Sequence, residues 1–422
     1  MANKVPSKVP FWRKWNSILG PGLLMAAAAI GVSHLVQSTR AGADYGTQLL
    51  LLVLLTNIFK YPFFEYGHRY PAATGETLLQ GYRRLGKFYL YAFLFLNFIN
   101  AVASVAAVTF VTGALCQNLF SLGIPLNYWC VLLFVVCIVL LYKGEYKLLD
   151  NFGKILMSIL AVATALSLAI AVLNGPVKSP NFTSPSPWSM AALPFLIALM
   201  GWMPAPIELS VWQSLWMKAK GELRGQRIEM KEALIDFNFG YILTIIMAVF
   251  FLLLGAFIMH GSGENFSAAP ALFASQVVNL YTHSLGDWSW ILISAAAFST
   301  MFSTTITLVD AYPRSVSEGL LEAFPDSLKP KFEGHRGWYF FWLILICSLS
   351  LIIITFFLNQ LKQLVDLVTS LAFVTGPFFA FINFKLIKSS WVPKEFRPPM
   401  WIYILSWVGL AYLVGFTTLY LM

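Results

Sequence analysis

Long apolar stretches separated by short polar ones run the whole length of the chain. Eleven of them, near residues 17–37, 47–67, 88–114, 127–142, 153–174, 189–214, 237–260, 288–310, 338–358, 363–387 and 399–421, are within reach of the roughly 20 residues a helix needs to cross a bilayer core. Lipid offers no partner to backbone N–H and C=O groups, so each stretch predicts a helix. The predicted class is an all-α polytopic membrane protein, with residues 1–422 as a single transmembrane domain. Of the polar stretches, 215–236 and 311–337 are charged and mixed in sign and read as surface helices or connectors. Residues 175–188 and 261–287 read as Pro/Ser/Asn-rich turns.

Two spans depart from the pattern at corresponding places. The first is interrupted around Ile30-Gly31-Val32-Ser33-His34, and the sixth around Gly201-Trp202-Met203-Pro204-Ala205-Pro206. Two prolines so close remove two helical donors and push the backbone out of the helix. Spans one and six are five apart. That is the offset of an inverted five-helix repeat whose discontinuous helices meet at the membrane midplane, the leucine-transporter-like arrangement. The repeats would cover 17–174 and 189–387, with 1–16 as an N-terminal segment and 399–421 as an additional helix.

Composition agrees: 58% of residues are hydrophobic and 11% charged. The charges predict orientation. With the N-terminus in the cytoplasm, 24 of the 28 Lys and Arg fall in inner segments, the exceptions being Arg40, Lys60, Lys178 and Lys362. The predicted location is the plasma (inner) membrane. The net charge of +9 then serves topology and lipid headgroups rather than nucleic acid. The polar start leads into the first span with no small-residue cleavage site, so no signal peptide is expected. Cys116, Cys130, Cys137 and Cys347 lack metal-type spacing and read as packing residues. The sequons at Asn181 and Asn265 fall in predicted outer loops.

The first span reads GPGLLMAAAAIGVSHLVQSTRAGADYG, from Gly20 to Gly46. Further along come Ala73-Thr74-Gly75 with Leu79 and Gln80, Gly123-Ile124-Pro125-Leu126, Met203-Pro204 and Glu318-Gly319. In order and spacing these resemble the NRAMP (natural resistance-associated macrophage protein) family of proton-coupled divalent-metal transporters. The resemblance implies a transporter rather than an enzyme. It also implies a metal bound by an Asp and an Asn of the first span and a Met of the sixth. Here those positions hold Gly31, His34 and Met203. The family's two sixth-span histidines correspond to Ala205 and Ser210. Its acidic third-span residues, counted back from Gly113, correspond to Asn100, Ala107 and Phe110.

A divalent cation needs anionic or strong neutral donors to replace its water, and Gly31, Ser33 and Ala205 supply few. Two half-helix N-termini, one near Ser33 and His34 and one after Pro206, would favour an anion or a neutral acceptor. The expected substrate site therefore comprises Gly31, Ser33, His34, Gln37, Ser38, Met203, Ala205 and Thr369, with Thr375 and Asn100 as weaker members. No resident metal or cofactor is expected.

Charged residues inside spans are candidates for coupling or gating. Arg40 and Asp44, at i and i+4, form either a helix-surface pair or an anion-attracting vestibule. Glu65 with Arg69 and Asp310 with Arg314 repeat the spacing. Glu208 and Lys60 lack local partners. They read either as a mutual bridge or, for Glu208, as a protonatable gate. His34 is either a satisfied polar residue or a contact for substrate or a proton.

Three functions follow as alternatives. One is a transporter of a small anion such as bicarbonate, or of a neutral polar solute, with protons as a candidate coupling ion. Another is a divalent-metal transporter rebuilt around Met203, His34 and Glu208. The third is a non-transporting receptor on a transporter frame.

Overall fold

Hydrophobic runs with nowhere else to place their backbone polar groups become helices, and 81% of the described residues are helical. The structure, a computed structural model, describes residues 18–177, 179 and 182–422, residue 145 excepted. The predicted N-terminal segment 1–16, Lys178 and Asn181 lie outside the described residues.

The first span is discontinuous. Helix α1 (Pro21–Ala29) starts on a proline, whose missing N–H is no loss at a helix start. After the break at Ile30–Val32, a π-helical turn (Ser33–Ser38) leads into α2 (Thr39–Tyr45), and the two halves bend by 45°. Then follow α3 (Leu50–Thr74), α4 (Leu78–Leu85), α5 (Lys87–Phe120), α6 (Leu126–Lys143) and α7 (Tyr146–Asn174). The sixth span is α8 (Leu193–Gly201) and α9 (Leu209–Arg224), separated by the segment that holds Pro204 and Pro206. The chain continues as α10 (Met230–Ile258), α11 (Pro270–Leu285), α12 (Trp290–Ala323), α13 (Pro325–Phe332), α14 (Arg336–Phe356), α15 (Leu361–Ile387) and α16 (Met400–Leu421).

Seven single helices (α5, α6, α10, α12, α14, α15, α16) are long and apolar enough to cross a membrane, and the bent first pair makes an eighth. The three remaining expected spans are α3, α7 and the α8–α9 pair. By length and composition alone the structure supports eight of the expected eleven. In α3 the reason is visible: Lys60, Glu65 and Arg69 lower its hydropathy, yet all three are buried.

The stretch 261–287, expected as turns, contains α11 instead. Of the stretches read as surface helices or connectors, 311–337 is largely the end of α12 plus α13, and 215–236 is helical apart from a loop between Arg224 and Met230. A helix need not stop at the lipid boundary. Once its charged side chains reach water, as at Lys218 and Glu222 on α9, the backbone ladder continues at no cost.

Helices α5 and α12 form the interior, 78% and 67% buried within the protein, against 28% for the peripheral α14 and α16. Span one lies along α10, and α8 along α15. Glycine makes the first contact close. A Cβ at Gly42 would lie 1.8 Å from Leu252 O, and one at Gly255 would lie 2.2 Å from Thr39 O, so α2 and α10 meet backbone to backbone.

Candidate functional site

The two breaks face one another. Between them lies a cavity of about 20 Å³, walled chiefly by Val32 and Ser33, by Trp202, Ala205 and Pro206, and by Tyr312 of α12. That is room for little more than one water-sized group.

Gly31 sits at the break but carries no side chain into it. A Cβ there would meet the Thr304 methyl and hydroxyl at 2.8 Å. Thr304 is itself held, its hydroxyl donating to Ala27 O at 3.1 Å. The place beside residue 31 is filled by α12.

His34 does not line the cavity. Its Nδ1 lies 2.8 Å from Ala29 O and 2.7 Å from Ser33 Oγ, and its Nε2 lies 2.9 Å from Thr244 O on α10. The ring is a strut from the interrupted backbone to α10. This corrects the expectation that His34 faces the centre. The physical cause is the break itself, where the Ala29 carbonyl has left the regular helical ladder and, besides Gly31 N at 2.8 Å, gathers the Ser33 hydroxyl and the imidazole. Ser33 shares that role, its Oγ donating to Ala29 O at 2.5 Å, while still forming part of the wall.

Gln37, Ser38 and Thr369 are not cavity walls either. Gln37 and Thr369 belong to a polar layer on the predicted outer side. Gln37 Nε2 donates to Asp366 Oδ1 at 3.0 Å and to Thr369 Oγ1 at 3.2 Å, while Arg40 Nη1 donates to Gln37 Oε1 at 3.0 Å. Arg40 also grips Asp366 through two bonds, of 2.7 and 3.0 Å, and its guanidinium lies 5.0 Å from the centre of the Phe195 ring. The expected Arg40–Asp44 pair is therefore replaced. Asp366 offers the guanidinium a two-point match from across the interface. Ser38 turns back along its own helix, its Oγ donating to Ser33 O.

The expected Glu208–Lys60 bridge does not form. Lys60 Nζ donates to Met200 O and Gly201 O, at 2.7 and 2.8 Å. Glu208 Oε1 accepts from Asn100 Nδ2 at 2.9 Å and lies 3.2 Å from the Tyr312 hydroxyl, which is 3.1 Å from Ser104 Oγ. Glu208 Oε2 is buried without a partner among the described residues. The carboxyl thus connects through Tyr312 and Ser104 to the cavity they line. Asn100 also donates to Thr375 Oγ1 at 3.0 Å. Met203 is fully buried but outside the cavity wall, whereas Ala205 is in it.

Of the amides after Pro206, expected to be free, three are engaged in a tight turn: Leu209 N donates to Pro206 O, Ser210 N to Ile207 O and Val211 N to Glu208 O, at 2.9–3.1 Å. Unmet donors come from elsewhere. Trp202 and Trp212 both line the cavity, and the indole N–H of each is buried without a partner among the described residues. Sequence reasoning missed both tryptophans, Tyr312 and Asp366. A lone carboxylate in the apolar run 363–387 was the available signal for Asp366. It also missed Asp236, which accepts from Gly20 N and Gly22 N at 2.9 and 3.0 Å and so caps α1. The local i,i+4 pairs did form, Glu65 with Arg69 and Asp310 with Arg314. The four cysteines are free and buried.

Residues 22–422 match the family model described as natural resistance-associated macrophage protein-like. An uncharacterised protein of Pasteurella multocida is 37% identical over 97% of this chain and 93% of its own length. The divalent metal cation transporter MntH of Staphylococcus saprophyticus is 25% identical over 94% of this chain and 90% of its own. Among solved structures, the manganese transporter of Eremococcus coleocola superposes with a TM-score of 0.69 over 98% of this chain and 88% of that one, at 16% identity. With the broken spans and their facing interruptions, these matches place the chain in the NRAMP family of membrane transporters.

Proposed function

We propose that this NRAMP-family protein is a secondary transporter that moves a small anion, with bicarbonate as the type case, or a small neutral polar solute, by alternating access. The observation that carries this reading is the contact at Gly31, where Thr304 occupies the space a first-span carboxylate would need. The cavity wall supports it from the other side. Among the described residues no carboxylate lines it, and its unmet polar groups are two indole donors. Such a wall suits an acceptor oxygen better than a hydrated cation, whose water must be replaced by oxygen or soft ligands. Glu208, one oxygen short of a partner and linked to the cavity through Tyr312 and Ser104, is the proposed proton-carrying group. Arg40 and Asp366 form the outer closure, with Asp44 at its rim. The N-terminus is cytoplasmic and the location the plasma membrane, as the Lys/Arg distribution predicts.

A second reading, divalent-metal transport, is favoured by the name of the Staphylococcus relative. Its ligands would be Met203 and Glu208, since His34 is committed to carbonyls. Among the described residues no group of three or more His, Cys, Asp or Glu converges to hold a metal. The experiment is reconstitution into liposomes with parallel flux of bicarbonate, neutral polar solutes and manganese. Anion or solute flux lost on tryptophan substitution at 202 or 212 supports the proposal. Manganese flux alone replaces it with the second reading, and no flux of any kind favours a receptor.

A further inference from the structure

The interruption of span six leaves carbonyls without helical partners. Helix α8 stops at Gly201 and the chain resumes helical form at Leu209, so the last carbonyls of α8 project beyond its hydrogen-bond ladder. They carry the negative end of the half-helix dipole and lie in the protein interior, where an unmatched carbonyl is costly.

Two of these oxygens, with that of Ala205 in the break itself, converge on one atom. Lys60 Nζ lies 2.7 Å from Met200 O, 2.8 Å from Gly201 O and 3.4 Å from Ala205 O. An ammonium has three donors and no acceptor, so the match is complete. Lys60 is 1% exposed, and its hydrogen-bond partners among the described residues are backbone carbonyls. Glu208, the nearby carboxyl, is turned to Asn100 and Tyr312 instead. The cradle is also braced. A Cβ at Gly201 would lie 1.8 Å from Thr369 O, so the end of α8 is pressed against α15 and has little freedom to spread.

We propose that the span-six break is a carbonyl cradle for a monovalent cation and that its permanent occupant is the Lys60 ammonium. Lys60 is a tethered ion. Its four-carbon stem fixes one positive charge at the break, so no free alkali cation is required there, whatever the substrate. Removing the ammonium leaves three converging oxygens and a space that suits ammonium or methylammonium, and excludes a bulky quaternary amine.

The test uses the purified full-length protein in lipid nanodiscs, with Tm read in chlorides of ammonium, methylammonium, sodium, potassium or choline at equal ionic strength. Wild type should show the same Tm in all five. Lys60→Ala should lose Tm in choline and regain at least half of the loss in ammonium or methylammonium along a saturable curve. Lys60→Met, which keeps the packing volume without the charge, should lose Tm in the same way and, its cradle being blocked, should not be rescued. A saturable sodium or potassium effect on wild type overturns the proposal, and so does a Lys60→Met variant as stable as wild type. If neither variant folds, the wild-type series still decides.

Discussion

Arg40 and Asp366, 326 positions apart, are joined by two parallel hydrogen bonds of 2.7 and 3.0 Å, linking the outer half of span one to α15. Gln37 and Thr369 complete the layer beneath. Under the proposed alternating-access cycle, such a bridge across the predicted outer mouth would break once per turnover. Arg40→Gln and Asp366→Asn should each lower flux. A double-mutant cycle on thermal stability should give a coupling of about 0.5–3 kcal/mol. Additive single effects would show that the pair holds nothing shut.

Gly31→Asp should destabilise the protein by about 1–3 kcal/mol, because the new Cβ enters the space of Thr304. Thr304→Ala in the same chain should return most of that loss. Calorimetry should detect no micromolar manganese binding to wild type, and weak binding should emerge only in the double variant. Tight manganese binding to wild type, abolished by Met203→Ala, would contradict the proposed substrate class.

Glu208 separates stability from coupling. Glu208→Ala takes one acceptor from the Asn100 amide, which keeps Thr375, and should cost about 1–3 kcal/mol. Glu208→Gln preserves the shape and an acceptor oxygen, so it should fold with near wild-type Tm. Its flux should respond to pH much less than that of wild type. An unchanged pH profile would remove Glu208 from the coupling path.

His34 should behave as a strut. His34→Ala leaves the Ala29 and Thr244 carbonyls without the ring, at a cost of about 1–3 kcal/mol. His34→Gln should recover part of the stability. Substrate affinity in variants that still fold should change little, and a selective loss of affinity at full stability would return His34 to the cavity wall.

The residues themselves determined the class, the two interruptions and the local ion pairs. Each rests on short-range physics. Apolar length predicts a spanning helix, Pro204 and Pro206 deny donors to the helix around them, and Glu65 with Arg69 or Asp310 with Arg314 meet because one helical turn brings them together. Tertiary structure decided the rest. Arg40 chose Asp366 over Asp44, Lys60 chose the carbonyls of α8 over Glu208, and His34 turned to α10. Sequence spacing names a residue's neighbours along one helix. A buried charge or imidazole is claimed by whichever unmet group lies across the interface, and only the packing of distant helices fixes which group that is.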